Sequence, residues 1–168
     1  YLPKASGEDS AESAYFAGTN RNKRSLTLNL SDPEGQQLAK RLIAKADILT
    51  ENFKTGTLSK YGLGYPDLKG EFPRLIYCSI TGFGHTGPYA EKPAYDALIQ
   101  AMGGVMSITG APDGEPMKIG VSIADLMAGM YASVAILAAV RHQGLTGKGQ
   151  HCDISMLDAH VAWLANQG

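Results

Sequence analysis

The run Arg74 to Ile80 constrains the fold most, because Leu75, Ile76, Tyr77 and Ile80 leave it without a continuous polar face. A strand with one face in water alternates apolar and polar side chains. A strand that does not alternate must be covered on both sides, as the strands of parallel sheets are. The flanking segments fit such a layered arrangement. Ser25 to Leu30 alternates apolar and polar residues and is predicted as a strand with one buried face. Ser31 and Glu34 have capping-box spacing with Pro33 in the first turn, and Leu38, Leu42 and Ile43 follow as an apolar stripe, so a helix is expected there. Ala46 to Thr50 reads as a short strand ending in Glu51-Asn52-Phe53, and Thr57 to Tyr61 as a helical turn closed by Gly62. A helix is predicted from about Tyr95 to Met102, and a turn cluster at Gly110 to Glu115. Next come a long apolar helix ending at Arg141 to Gly144, a strand at Gln150 to Ile154, and a last helix started by Ser155 with Asp158 and running through Trp163. Strands alternating with helices give an α/β fold with a mostly parallel sheet and flanking helices. Tyr1 to Thr19 is polar, small-residued and without a sustained period, a lead-in loop to a structured unit over residues 20–168.

Charge narrows the classes of partner. Fifteen Lys and Arg oppose sixteen Asp and Glu across 168 residues, a formal net charge of −1, so nothing in the overall balance draws the chain to nucleic acid or to an anionic membrane. An anionic ligand has to be held by a local site. Cys78 and Cys152 lie in strand-like segments without CxxC spacing, which fits reduced core residues of a cytosolic compartment. No secretory signal is visible, since acidic residues follow Tyr1 closely, and the lack of an initiating Met suggests that the true start lies upstream. Ile119 to Val140 has the apolar character of a membrane span, but its Ala, Gly and Ser content suits close helix packing inside a soluble protein.

That same run contains one charge, Asp125. Ser122 and Asp125 have the spacing of a capping box, so on spacing alone Asp125 is a cap. A helix N-terminus also stabilises an ionised carboxylate, the form a nucleophile requires, so the two roles are compatible. Gly82-Phe83-Gly84-His85-Thr86-Gly87 fits GxGxxG after a strand, yet Pro88 and Pro93 follow where a dinucleotide-binding turn must open a helix. A loop lining a ligand site is the better fit. Asn20 to Arg24 packs three cations into five residues, a solvated turn or a phosphate clamp. His85, His142, His151 and His160 lack ligand spacing with nearby Cys or carboxylates, so no metal is expected; His85, in the glycine loop, is the one to follow.

Taken in order, Asn20 to Ser25, Glu51-Asn52-Phe53-Lys54, Pro73 to Gly84, Thr86-Gly87-Pro88-Tyr89 and Ile123-Ala124-Asp125-Leu126 resemble the family III CoA-transferases, the group of formyl-CoA transferase and carnitine CoA-transferase. The resemblance runs from about Tyr15 to Leu157. It implies part of a Rossmann-like large domain, with further family segments, including the glycines that gate the aspartate, lying outside this chain. It implies that Asp125 attacks an acyl-CoA thioester, giving a mixed anhydride and then an aspartyl-CoA thioester. It further implies coenzyme A contacts at Leu28, Asn29, Leu30 and Ser31 and at Asn52, Phe53 and Lys54, with Lys60 at a basic position that meets a phosphate. Tyr95 matches a tyrosine beside the acyl group. Coenzyme A is then a substrate and not a resident cofactor. The partners are an acyl-CoA donor and a carboxylic acid acceptor, and the complete enzyme is an interlocked homodimer in the cytoplasm, or in a mitochondrial or peroxisomal matrix in a eukaryote. The alternatives are an α-methylacyl-CoA racemase on the same fold and a noncatalytic nucleotide-binding module. Tyr95 stands where the racemases place a histidine base, and a phenol with a pKa of about 10 is a poor base near neutrality.

Overall fold

The computed structural model describes residues 13–167. Its sheet has three parallel strands, β1 (Ile48–Glu51), β2 (Ile76–Thr81) and β3 (His151–Ser155), in the order β1-β2-β3. The middle strand is the continuously apolar one: Ile76 and Cys78 are fully buried, and Tyr77 nearly so. Cys78 pairs in register with Thr50 on one side and Cys152 on the other, and both cysteines are free thiols. The helices are α1 (Ala14–Thr19), α2 (Pro33–Ile43), α3 (Tyr65–Leu68), α4 (Asp96–Met102), α5 (Ile123–Thr146) and α6 (Met156–Val161).

Two apolar clusters cover the two faces of the sheet, as the sequence of β2 requires. One joins Ile43 of α2, Leu58, Leu63, Leu68 of α3, Leu75 and Tyr77. The other joins Ile99 of α4, Ala124 and Ala128 of α5, and Met156, with Ile80 and Phe83 packed against it. Fully burying one side chain of this size is worth about 1.5–3 kcal/mol, so Leu68, Ile76 and Ile99 are the positions where truncation costs most. The small residues of α5 serve its contact with the sheet: Ala124, Ala128, Ala132 and Ala139 are all buried.

Several sequence expectations need correction. Ala14–Thr19, placed in the lead-in loop, is helical because the Ser13 hydroxyl accepts from the Phe16 N–H at 3.0 Å; residues 1–12 lie outside the described part. Ser25 to Leu30 is not a strand. Leu28 and Leu30 are half-buried, as the alternation implies, but Leu26, which would share their face, is exposed, and no neighbouring strand among the described residues pairs with the segment. The cap of α2 is Asp32, whose Oδ1 accepts from the Glu34 N–H at 2.8 Å, and not Ser31; Pro33 takes the first helical position, where no N–H is needed. The stripe on α2 is only partly buried, since Ile43 is inside and Leu42 is half exposed. The long helix passes through Gly144 and stops at Gly147, whose φ of 73° is the left-handed conformation that closes a helix. Ser155 caps α6 as expected, accepting from the Asp158 N–H at 3.1 Å.

By length and composition α5 is apolar enough to cross a membrane. Its alanine side, however, is against the sheet, while Leu126, Met130, Val134, Leu137 and Leu145 stand exposed on the rest of its surface. Exposed apolar residues in this number drive association. The 168-residue chain on its own is expected to elute well above its 17.8 kDa monomer mass in size-exclusion chromatography with light scattering, and Met130→Glu with Leu137→Glu to lower that mass. A wild-type monomer at high micromolar concentration contradicts this.

Candidate functional site

Parallel strands direct their carboxyl ends to one edge of the sheet, where open α/β folds place ligands. A cavity of about 850 Å³ lies there. It is lined by Asn52, Phe53 and Lys54, following β1, by Ile80, Thr81 and Gly82 at the end of β2, by Tyr95 and Asp125, and by Met156 at the start of α6. The Asn52 side-chain amide donates to the Ile80 carbonyl at 2.5 Å, tying the loop after β1 to the end of β2. Gly82 admits no side chain, because a Cβ there would overlap Ala94, the residue before Tyr95. The Gly82 carbonyl accepts from the Leu157 N–H at 3.1 Å, which fixes β2 against α6.

Asp125 occupies the third position of α5, and the capping box expected from its spacing is absent: Ser122 makes no side-chain cap. A different residue does that work. Asp96, at the start of α4, accepts through Oδ1 from the Ala124 N–H at 2.8 Å and, more weakly, from the Asp125 N–H at 3.4 Å. Its Oδ2 accepts from the Gln100 amide at 2.6 Å. Gln100, fully buried, also donates to the Val121 carbonyl and accepts from the Ile119 N–H at 2.8 Å. Two side chains of α4 therefore hold the entry to α5 and aim Asp125 into the cavity, leaving its carboxylate without a capping duty. Partial desolvation raises the pKa of Asp125 above the ordinary carboxylate value, and the neighbouring charge of Asp96 raises it further. The folded chain thus holds this proton more tightly than the unfolded one. The stability this proton contributes is full below the ordinary carboxylate range and is lost as pH rises through the raised pKa of the folded state.

Of the residues singled out from sequence, the cavity brings together Asp125, Tyr95, Asn52, Phe53 and Lys54. It is not lined by Leu28, Asn29, Leu30, Ser31 or Lys60. The Asn29 side chain accepts from the Ser31 N–H, the Leu30 carbonyl accepts from Gln36, and Lys60 lies exposed on the short helix Leu58–Tyr61. From the basic run at Asn20 to Arg24, Lys23 reaches the cavity. Sequence reasoning missed Asp96 and Lys92. Asp96 follows Tyr95 directly, but nothing local marks it as the cap of a helix 28 residues away.

The glycine loop opens no helix and does not line the large cavity beyond Gly82. His85 instead pairs with Asp153 of β3, its backbone N–H to Oδ2 at 3.0 Å and its Nδ1 to Oδ1 at 2.8 Å. It borders a smaller cavity of about 290 Å³ with His151, whose Nε2 meets the Ser79 hydroxyl at 3.0 Å. Burial pushes the Cys78 thiol up to about 11, so it stays protonated and is no nucleophile at neutral pH. Among the described residues no group of three or more His, Cys, Asp or Glu converges on a metal position.

Comparison with known proteins shows the family. The family model described as CoA-transferase family III matches residues 2–168. A succinate–glutarate CoA-transferase of Agrobacterium fabrum is 52% identical over 167 residues, 99% of this chain and 42% of that protein. An acetyl-CoA:oxalate CoA-transferase of Acetobacter aceti is 44% identical, covering 91% of this chain and 40% of that protein. The crystal structure of a CAIB/BAIF family protein from Brucella suis superimposes with a TM-score of 0.84 at 55% identity, over 86% of this chain and 38% of that one. The chain spans about two fifths of the length of the curated relatives it matches.

The tie between α4 and α5 is testable without any assay of activity. Asp96→Asn removes the like charge but keeps an acceptor, so carbon-13 NMR titration of the Asp125 carboxyl is expected to move its pKa down towards the ordinary value. Asp96→Ala also removes the acceptor, and a loss of about 1–3 kcal/mol of stability with weakened hydrogen-exchange protection at Ala124 is expected. An unmoved Asp125 titration in Asp96→Asn contradicts the electrostatic assignment.

Proposed function

The chain belongs to CoA-transferase family III, and from that premise we propose that the complete protein transfers coenzyme A between carboxylic acids, with Asp125 as the covalent nucleophile. The observation that carries this is Asp125 itself, freed from capping by Asp96 and facing a cavity large enough for an acyl thioester. The Asp125 carboxylate attacks the thioester carbon, the C–S bond breaks, and CoA leaves as its thiolate beside an aspartyl–acyl anhydride. The thiolate then attacks the Asp125 carbonyl, releasing the donor acid and leaving an aspartyl-CoA thioester. The acceptor carboxylate repeats the sequence in reverse, forming its own anhydride with Asp125 and taking the CoA. Holding coenzyme A on Asp125 as a thioester divides one transfer into steps between species of similar energy.

Tyr95, 80% exposed and standing in the cavity wall, is proposed to position the acyl group. Its phenol, and the lack of a histidine at this position, favour transfer over racemisation. Asn52, Phe53 and Lys54 are proposed to meet coenzyme A at the mouth of the cavity, while Leu28 to Ser31 and Lys60 stand outside it as candidate contacts for the more distant parts of that long substrate. The named relatives act on succinate, glutarate and oxalate, which supports short dicarboxylic acids as the substrates here. We further propose a homodimer in a reducing compartment, the cytoplasm or an organelle matrix, supported by the exposed apolar surface of α5 and the two free thiols.

Isothermal titration of the full-length protein is expected to show coenzyme A binding and no NAD binding. Asp125→Asn is expected to keep the coenzyme A affinity within about twofold while transfer falls by roughly a thousandfold or more, since the nucleophile itself is gone. Tight NAD binding with no response to coenzyme A overturns the proposal.

A further inference from the structure

We propose that Lys92 selects acids that carry a second carboxylate, by pairing with the carboxylate that does not react. This rests on the coenzyme A transfer proposed above and assigns it a residue that sets specificity. Three cations, Lys23, Lys54 and Lys92, line the cavity around Asp125, and no carboxylate among the described residues pairs with any of them. Lys54 belongs to the stretch after β1 proposed to meet coenzyme A, and Lys23 precedes Leu28 to Ser31, the other proposed coenzyme A contacts, in the sequence. Lys92 lines the same cavity three residues before Tyr95, the residue proposed to position the acyl group.

The position of this cation is built into the loop. Phe83 packs against the cluster formed by Ile99, Ala124, Ala128 and Met156. Tyr89 packs on Phe83 with ring centroids 5.4 Å apart, and the Lys92 ammonium lies over the Tyr89 ring at 4.3 Å from its centroid. The Lys92 backbone N–H also donates to the Tyr89 carbonyl at 2.8 Å. A chain of contacts thus runs from the core beneath Asp125 to the charge of Lys92. A ring face attracts a cation without neutralising it, so the ammonium is held in place and keeps its charge for an anion. A monocarboxylic acid spends its one carboxylate on Asp125 and offers Lys92 nothing. A dicarboxylic acid can place its second carboxylate beside this cation.

The test uses full-length protein, acetyl-CoA as a donor with no free carboxylate, and two acceptors of equal chain length, glutarate and pentanoate. Wild type is expected to prefer glutarate. In Lys92→Met, kcat/KM for glutarate is expected to fall about tenfold or more through KM, the size of a lost charge-assisted pair, with pentanoate unchanged and Lys92→Arg retaining most of the preference. Coenzyme A affinity by calorimetry is expected to be the same in all variants. Equal losses for both acids, a weakened coenzyme A affinity, or an unchanged glutarate KM each overturn the assignment of Lys92. Absence of transfer by wild type to either acid contradicts the transfer reaction instead. Calorimetric binding of glutarate then decides Lys92 separately: weaker binding in Lys92→Met supports it, and equal binding overturns it.

Discussion

The Asp96 carboxylate, accepting from the Ala124 N–H at the start of α5, is the contact on which the site depends. A helix begins with N–H groups that have no partner within it, and their usual partner is the side chain of the preceding residue. Here Ser122 does not supply it, and the acceptor comes from α4. Two helices that meet the same face of the sheet are thereby locked at one point, and Gln100 extends the lock to the Val121 carbonyl and the Ile119 N–H of the approach to α5. The first turn of α5 can then present Asp125 to the cavity as a group with no structural obligation.

This arrangement sets two electrostatic influences against each other. A helix N-terminus favours a carboxylate, whereas partial burial and the charge of Asp96 disfavour it. A carboxylate whose charge is disfavoured gains by sharing that charge with an acyl carbon, which suits the proposed role of Asp125 in forming and releasing an anhydride. The cations around the cavity complete the picture. Lys23, Lys54 and Lys92 gather positive charge at this edge of the sheet in a chain whose net charge is near zero, which is what the proposed anionic substrates require of a local site.

Legibility in the sequence followed from how local each cause was. The buried character of β2 was readable because Leu75 to Cys78 carry it in adjacent positions, and with it came the parallel sheet and its two covered faces. Ser155 as a cap and Gly62 as a left-handed stop were readable for the same reason. Ser25 to Leu30 had the alternation of a strand, but a strand also needs a neighbour, and pairing is not written in its own residues. Asp125 stood out as one charge in an apolar run, and the chemistry expected of it came from ordered motifs, not from periodicity. Asp96 as a cap and the placement of Lys92 were invisible because they depend on the approach of α4 to α5 and on the packing of Tyr89 against Phe83.

The central claim is that Asp125 carries the acyl group or coenzyme A during turnover. The most direct measurement incubates full-length protein with an acyl-CoA, quenches with hydroxylamine and maps the modified peptide by mass spectrometry. A hydroxamate on Asp125, formed only when acyl-CoA is present and absent from Asp125→Asn, is the expected result. An unmodified Asp125 under turnover, with rapid exchange of the substrate α-proton into solvent, contradicts covalent transfer and points to racemisation.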